Sequence, residues 1–162
     1  MTLDRVAVHI GDVKVAGEGA TLLTIGLGSC VAIALYDPRT KVGGLAHAML
    51  PSPSNARQDV PPGRFATTAV PQLVELMKDA GASRRRIRAR LAGGASMFRD
   101  LLEGDGLKLG RRNVEAAREA LAKLDIPIDG EDVFGSYGRS VYLDTADGRL
   151  LVTSVRNPDV VL

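Results

Sequence analysis

The chain has no tryptophan, one cysteine, two histidines and only three Phe and three Tyr among its 162 residues. A single thiol rules out an internal disulfide and fits a reducing compartment, where a thiol stays available. The shortage of aromatics leaves a core of Val, Leu, Ile and Ala, and removes the stacking residues on which nucleic-acid binders rely. Charge of one sign is missing as well. The 21 Lys and Arg oppose 19 Asp and Glu for a net charge of +2, too mild a bias to argue for nucleic acid. No apolar run approaches the ~18 residues of a membrane span. The opening Met1-Thr-Leu-Asp-Arg-Val6 lacks the charged-then-apolar pattern of an export signal. These absences predict a cytoplasmic protein with no membrane insertion and no nucleic-acid partner.

Turn chemistry is plentiful. Eighteen glycines and eight prolines point to many tight connections and a sheet-rich fold. With 45% apolar and 25% charged residues, the composition is that of one soluble globular domain over residues 1–162. The expected oligomeric state is a monomer.

The only cysteine, Cys30, and one of the two histidines, His47, flank a predicted β-hairpin. Val31-Ala-Ile-Ala-Leu-Tyr36 is an apolar run of strand length, Asp37-Pro38-Arg39-Thr40 is a loop cluster, and Val42 to Leu50 is a second strand. A four-residue loop over 37–40 pairs Tyr36 with Lys41 and brings Cys30 opposite His47. Opposed residues share a face of the sheet, whereas a one-residue slip sends them to opposite faces. Gly43 and Gly44 would then leave open space beside the pair. A thiol next to an imidazole is the arrangement a thiolate nucleophile needs. Thr24 lies on the preceding strand, before Gly26-Leu-Gly28. If the chain doubles back there, Thr24 supplies the group that orients the imidazole. The bland alternative stands beside this one: a lone Cys is most often a small buried hydrophobe, and a lone His a satisfied polar group.

Leu27-Gly-Ser-Cys-Val-Ala32, Leu35-Tyr-Asp37 and Gly43-Gly-Leu-Ala-His-Ala-Met-Leu-Pro51 resemble the signature of the CheD family of chemoreceptor glutamine deamidases. The similarity continues through Gly63-Arg-Phe65, Gly93-Gly-Ala95 with Met97-Phe98, Gly110 with Asn113, and Asp132 with Gly138-Arg139. It departs at Phe65, where Tyr is usual, and at Phe134-Gly135, where Gly-Gly is common. The resemblance implies a Cys-His-Thr triad on Cys30, His47 and Thr24, and hydrolysis of receptor glutamine side chains to glutamate. Backbone N–H groups of the Gly28-Ser29 turn and Cys30 are the candidate oxyanion donors. No metal or organic cofactor is expected. The implied partners are the cytoplasmic helical bundle of chemoreceptors and a CheC-type phosphatase. Two alternatives share those partners: a glutamate methylesterase on the same receptors, and a non-enzymatic regulator of the phosphatase.

Elsewhere the pattern is structural. Val6–Ile10 and Val13–Val15 alternate as strands, with His9 at a surface or edge. Pro51 to Gly63 is a loop. A helix beginning near Thr68 and ending at Gly81 carries Ala69, Val70, Leu73, Leu76, Met77 and Ala80 on one face, which makes Pro71 a first-turn residue. Residues 86–91 alternate as a strand with a solvated arginine face, an acidic partner surface being the minority reading. Gly93-Gly-Ala-Ser-Met97 lacks the Gly-Lys-Ser/Thr ending of a phosphate loop. A second helix spans about 111–124. Ile126-Pro-Ile128 reads as an edge strand and Asp129-Gly-Glu-Asp132 as an acidic turn without EF-hand spacing. Ser140–Asp144 and Leu150–Val155 form a closing hairpin. Together these predict an α+β fold, a layered α/β sandwich with a mostly antiparallel β-sheet core and two main helices.

Overall fold

A computed structural model describes residues 4–53, 60–96 and 105–162. Met97, Phe98 and the middle of the Pro51–Gly63 loop lie outside them. Two five-stranded sheets form the molecule. The first has the order β1 (Asp4–Ala7), β3 (Ala20–Leu27), β8 (Arg139–Asp144), β9 (Leu150–Thr153) and β10 (Val160–Val161). The second runs β2 (Val13–Ala16), β5 (Val42–Ala48), β4 (Val31–Asp37), β6 (Arg88–Gly93) and β7 (Ile128–Val133). Among the described strands, β1–β3 and β6–β7 are the parallel pairs. The expected mostly antiparallel α+β sandwich is the fold found.

Strand alternation divides the second sheet between two apolar layers. Val31, Ile33, Leu35, Ala89 and Leu91 pack under the helices α1 (Ala66–Asp79) and α2 (Asp105–Lys123). Ala32, Ala34, Leu45 and Ala92 point the other way, onto Leu22, Val141, Leu143 and Val152 of the first sheet. β4 and β5 are therefore buried on both faces and read as continuous apolar runs rather than alternating ones.

Helix α1 begins two residues earlier than the pattern predicts, which puts Pro71 in its second turn. Its buried face uses Val74, while Leu76 and Ala80 face solvent. Its end is as expected. Gly81 takes φ +106°, the Gly81 N–H reaches the Lys78 carbonyl, and the Ala82 N–H reaches that of Met77. Helix α2 starts earlier than expected, at Asp105, and buries Val114, Ala117 and Leu121 as predicted.

Residues 129–132 are not a turn. They belong to β7, and each carboxylate meets an arginine: Asp129 with Arg88, Glu131 with Arg118, and Asp132 with Arg139. The alternation of small and acidic residues is an edge strand neutralised from its neighbours. The arginine run likewise divides its work. Residues 84–86 form a 3-10 turn, Arg86 forks onto the buried Asp37, and Arg88 onto Asp129. With these side chains engaged inside the molecule, the free basic face of the sequence reading is reduced.

Candidate active site

The hairpin forms, with its register displaced from the expected one. The loop is Pro38–Lys41 rather than 37–40: Asp37 pairs with Val42, Tyr36 with Gly43, and Ala32 with His47. Asp37 ends the strand because its buried carboxylate serves as the loop's anchor. It accepts the N–H groups of Arg39 and Ser83 and the Arg86 guanidinium. Burial alone would raise the Asp37 carboxyl's pKa; these donors outweigh it and hold the group well below the carboxylate range. Lys41 closes the loop at φ +58°, with its N–H on the Asp37 carbonyl.

The displacement moves Cys30 from opposite His47 to opposite Met49, because the two pairing numbers now sum to two more. A shift of two preserves the face. Cys30 directly precedes β4 and lies diagonal to His47 on the side that looks onto the first sheet. Such diagonal neighbours are roughly 7–8 Å apart at Cα, within reach of longer side chains. Gly43 and Gly44 do not open a space there. A Cβ on Gly43 would meet Thr145 Cγ2 at 2.9 Å, and one on Gly44 would meet Leu73 Cδ1 at 2.8 Å. They are places where β5 is squeezed between the first sheet and helix α1.

Thr24 reaches His47 across the sheets. Both are buried, and Thr24 Oγ1 stands 2.7 Å from His47 Nδ1 and 2.6 Å from the Val8 carbonyl oxygen. A carbonyl can only accept, so the single hydroxyl proton goes to Val8. Thr24 then accepts from the ring, which places the imidazole proton on Nδ1. Nε2 is left with a lone pair, is buried, and has no hydrogen-bond partner among the described residues. The backbone fixes the ring from below: the His47 N–H donates to the Asp12 carbonyl at 3.2 Å and the Gly11 N–H to the His47 carbonyl at 2.8 Å.

Burial governs the protonation of both groups. It lowers the imidazole to about 4, with Asp12 opposing. It raises the Cys30 thiol, with the residue's own backbone N–H opposing. The resting pair is a thiol and a neutral imidazole, which makes Nε2 a proton acceptor at neutral pH.

The turn before Cys30 hangs from its carbonyls. Gly28 O accepts the Ala95 N–H at 2.9 Å, and Cys30 O accepts the Gly94 N–H at 2.8 Å. Ser29 O accepts Asn113 Nδ2 at 2.8 Å. Gly93, at φ +111°, passes so close that any Cβ would collide with the Cys30 carbonyl oxygen. The N–H groups of Ser29 and Cys30 have no acceptor among the described residues. Gly26 belongs to an irregularity inside β3 rather than to the turn itself.

His9 is exposed, and its backbone N–H donates to Asp12 Oδ2 at 3.1 Å. The Val8 carbonyl and Asn113 were not recognisable as site components from spacing. The first is a backbone atom with no sequence signal. Asn113 carries one, as a polar residue on the apolar face of α2 and as one of the residues of the CheD resemblance, but nothing in the sequence ties it to Cys30 and His47. Among the described residues, no group of three or more His, Cys, Asp or Glu is disposed to hold a metal ion. No described helix is long and apolar enough to cross a membrane.

A crystal structure of a Neisseria meningitidis protein superposes with a TM-score of 0.51 at 12% identity, covering 83% of this chain and 63% of that one, a likeness of fold alone. A protein of Caldanaerobacter subterraneus is 45% identical over 91% of this chain and 91% of its own length, and one of Archaeoglobus fulgidus is 46% identical over 96% and 97%. Both bear the name probable chemoreceptor glutamine deamidase CheD. The alignment covering 96% of the chain runs across Thr24, Cys30 and His47. The family model described as CheD chemotactic sensory transduction matches residues 49–154, which carry Asn113 and the loop that caps the Cys30 turn. With relatives at 45–46% identity over nearly its whole length and a family model over residues 49–154, the chain belongs to the CheD family.

Proposed function

We propose that this chain hydrolyses selected glutamine side chains of chemoreceptors to glutamate, with Cys30, His47 and Thr24 as its reacting and orienting groups. One observation carries the reading: the Thr24 hydroxyl, committed to Val8, holds the His47 proton on Nδ1 and leaves a buried Nε2 lone pair on the face that bears the thiol. A protein that only binds has no use for that arrangement.

The steps follow from the protonation states. As Cys30 Sγ attacks the carboxamide carbon, Nε2 takes the thiol proton. The carbonyl oxygen becomes an oxyanion, received by the N–H groups of Ser29 and Cys30 in the Gly28-Ser29 turn. The imidazolium passes its proton to the nitrogen as the C–N bond breaks, and ammonia leaves. Water then gives a proton to the same Nε2 while its oxygen attacks the thioester carbon. The thiolate departs, recovers the proton and leaves glutamate. Thr24 keeps the ring in the required tautomer throughout. The substrate is the helical cytoplasmic part of the receptor, and the enzyme works as a cytoplasmic monomer. A CheC-type phosphatase remains its second expected partner.

The test uses wild type, Cys30→Ala and His47→Ala with purified chemoreceptor cytoplasmic fragments. Mass spectrometry follows replacement of the side-chain amide by a carboxyl. Conversion by wild type and its loss in both variants is the expected result. No conversion by folded wild type on several receptors overturns the reading. Release of methanol from methylated receptors would then favour the esterase, and neither activity would favour the phosphatase regulator.

A further inference from the structure

Asn113 is fully buried on the face of α2 that meets the nucleophile turn. Its Nδ2 donates to two carbonyls, Ser29 O at 2.8 Å and Met49 O at 3.1 Å. One belongs to the residue before Cys30, the other to the segment just after His47. A single amide thus joins the two chain segments that carry thiol and base. The approach that permits this is built into the helix. One turn earlier, Gly110 packs directly against the carbonyls of Gly94 and Ala95, where no Cβ would fit.

The Ser29 contact has a geometric consequence for the next residue. In a trans peptide, the carbonyl of Ser29 and the N–H of Cys30 are parts of one plane and point in opposite directions. With the Ser29 oxygen drawn towards Asn113, the Cys30 N–H is turned away from the helix. It has no acceptor among the described residues. An N–H on the residue that bears Sγ, without a protein acceptor, is free to receive the oxygen of a group bonded to that sulfur. We infer that Asn113 is a positioning residue: by holding the Ser29 carbonyl it sets the plane of the Ser29–Cys30 peptide, aims the Cys30 N–H as an oxyanion donor and ties that turn to the His47 strand. This inference rests on the deamidase reading for its rate effect, but not for its geometry.

The experiment compares wild type with Asn113→Ala and Asn113→Ser, whose shorter hydroxyl reaches at most one of the two carbonyls. It measures kcat and KM on a receptor fragment, the folded fraction, and the pH dependence of Cys30 alkylation by iodoacetamide. One oxyanion donor is worth roughly 10²–10³ in rate. Misdirecting it in part should therefore lower kcat about 10- to 100-fold with KM within about twofold. The alkylation profile should move to higher pH, because the N–H no longer faces the sulfur. A kcat per folded molecule within twofold of wild type, or an unmoved alkylation profile, would reduce Asn113 to packing and overturn the inference. If Asn113→Ala does not fold, Asn113→Ser decides by the same two criteria. If wild type converts no glutamine, the deamidase reading fails and the alkylation profile alone judges the geometry: a shift sustains it and no shift ends it.

Discussion

Replacing Thr24 by Val removes one oxygen and changes little volume, so it isolates what the hydroxyl does. That oxygen is 2.6 Å from the Val8 carbonyl and 2.7 Å from His47 Nδ1, and the residue is 1% exposed. Its loss orphans two buried groups, each at a cost of about 1–3 kcal/mol, so stability should fall by about 2–6 kcal/mol. For a chain of this size, at about 2–4 °C per kcal/mol, that is a drop in Tm of about 4–24 °C. Only the imidazole contributes to the rate. Without Thr24 nothing holds the proton on Nδ1, and the other tautomer, with its proton on Nε2, cannot accept from Cys30. The same 1–3 kcal/mol then appears as a loss in kcat of about 5- to 150-fold. The assay is glutamine-to-glutamate conversion on a receptor fragment, beside thermal unfolding of Thr24→Val and Thr24→Ser. Thr24→Ser keeps the hydroxyl and should stay within a few-fold of wild type. A folded Thr24→Val with unchanged kcat, however much less heat-stable, would refute the tautomer role and leave Thr24 as a packing residue.

Two further outcomes follow from the same geometry. Burial lowers His47 to about 4, below the ordinary imidazole value of 6.5, so the unfolded chain binds the extra proton first as pH falls. The stability held at neutral pH should therefore decline from pH 6.5 towards 4, by about 3 kcal/mol through this group. Denaturant unfolding of wild type against His47→Gln across that range measures it; parallel curves would mean the imidazole is not held neutral by burial. Gly93→Ala combines a φ of +111° with a Cβ driven into the Cys30 carbonyl oxygen, a rigid backbone atom that can yield only by moving the nucleophile. Circular dichroism melting and conversion assays on the variant should show both stability and activity falling, kcat by more than tenfold, whereas wild-type kcat with intact folding would show that the turn tolerates displacement.

The hairpin shows what could be read from the sequence and what could not. A four-residue loop moved along the chain by one position shifts both arms together, so the paired numbers change by two and every side chain keeps its face. That parity, not the particular partner, is what put Cys30 and His47 on one side. The absolute register was hidden because it depends on Asp37, whose carboxylate gathers donors from Ser83 and Arg86, more than forty residues away. Distance along the chain also hid the strand at 129–132, where arginines from β6, α2 and β8 neutralise acids that locally read as a turn. The unusual Phe134-Gly135 pair has a comparable explanation. Phe134 adopts φ +71°, a conformation glycine takes freely, and holds it with its ring under Arg111 at 4.6 Å and Arg118 at 5.4 Å. Its N–H caps Gly93 O, on the strand end that supports the Cys30 turn. The proposed reacting groups were legible because they are rare residue types at a fixed spacing. The Val8 carbonyl became visible only when the two sheets were brought together, and the link from Asn113, already one residue of the family pattern, to the Cys30 turn only when α2 was packed against it.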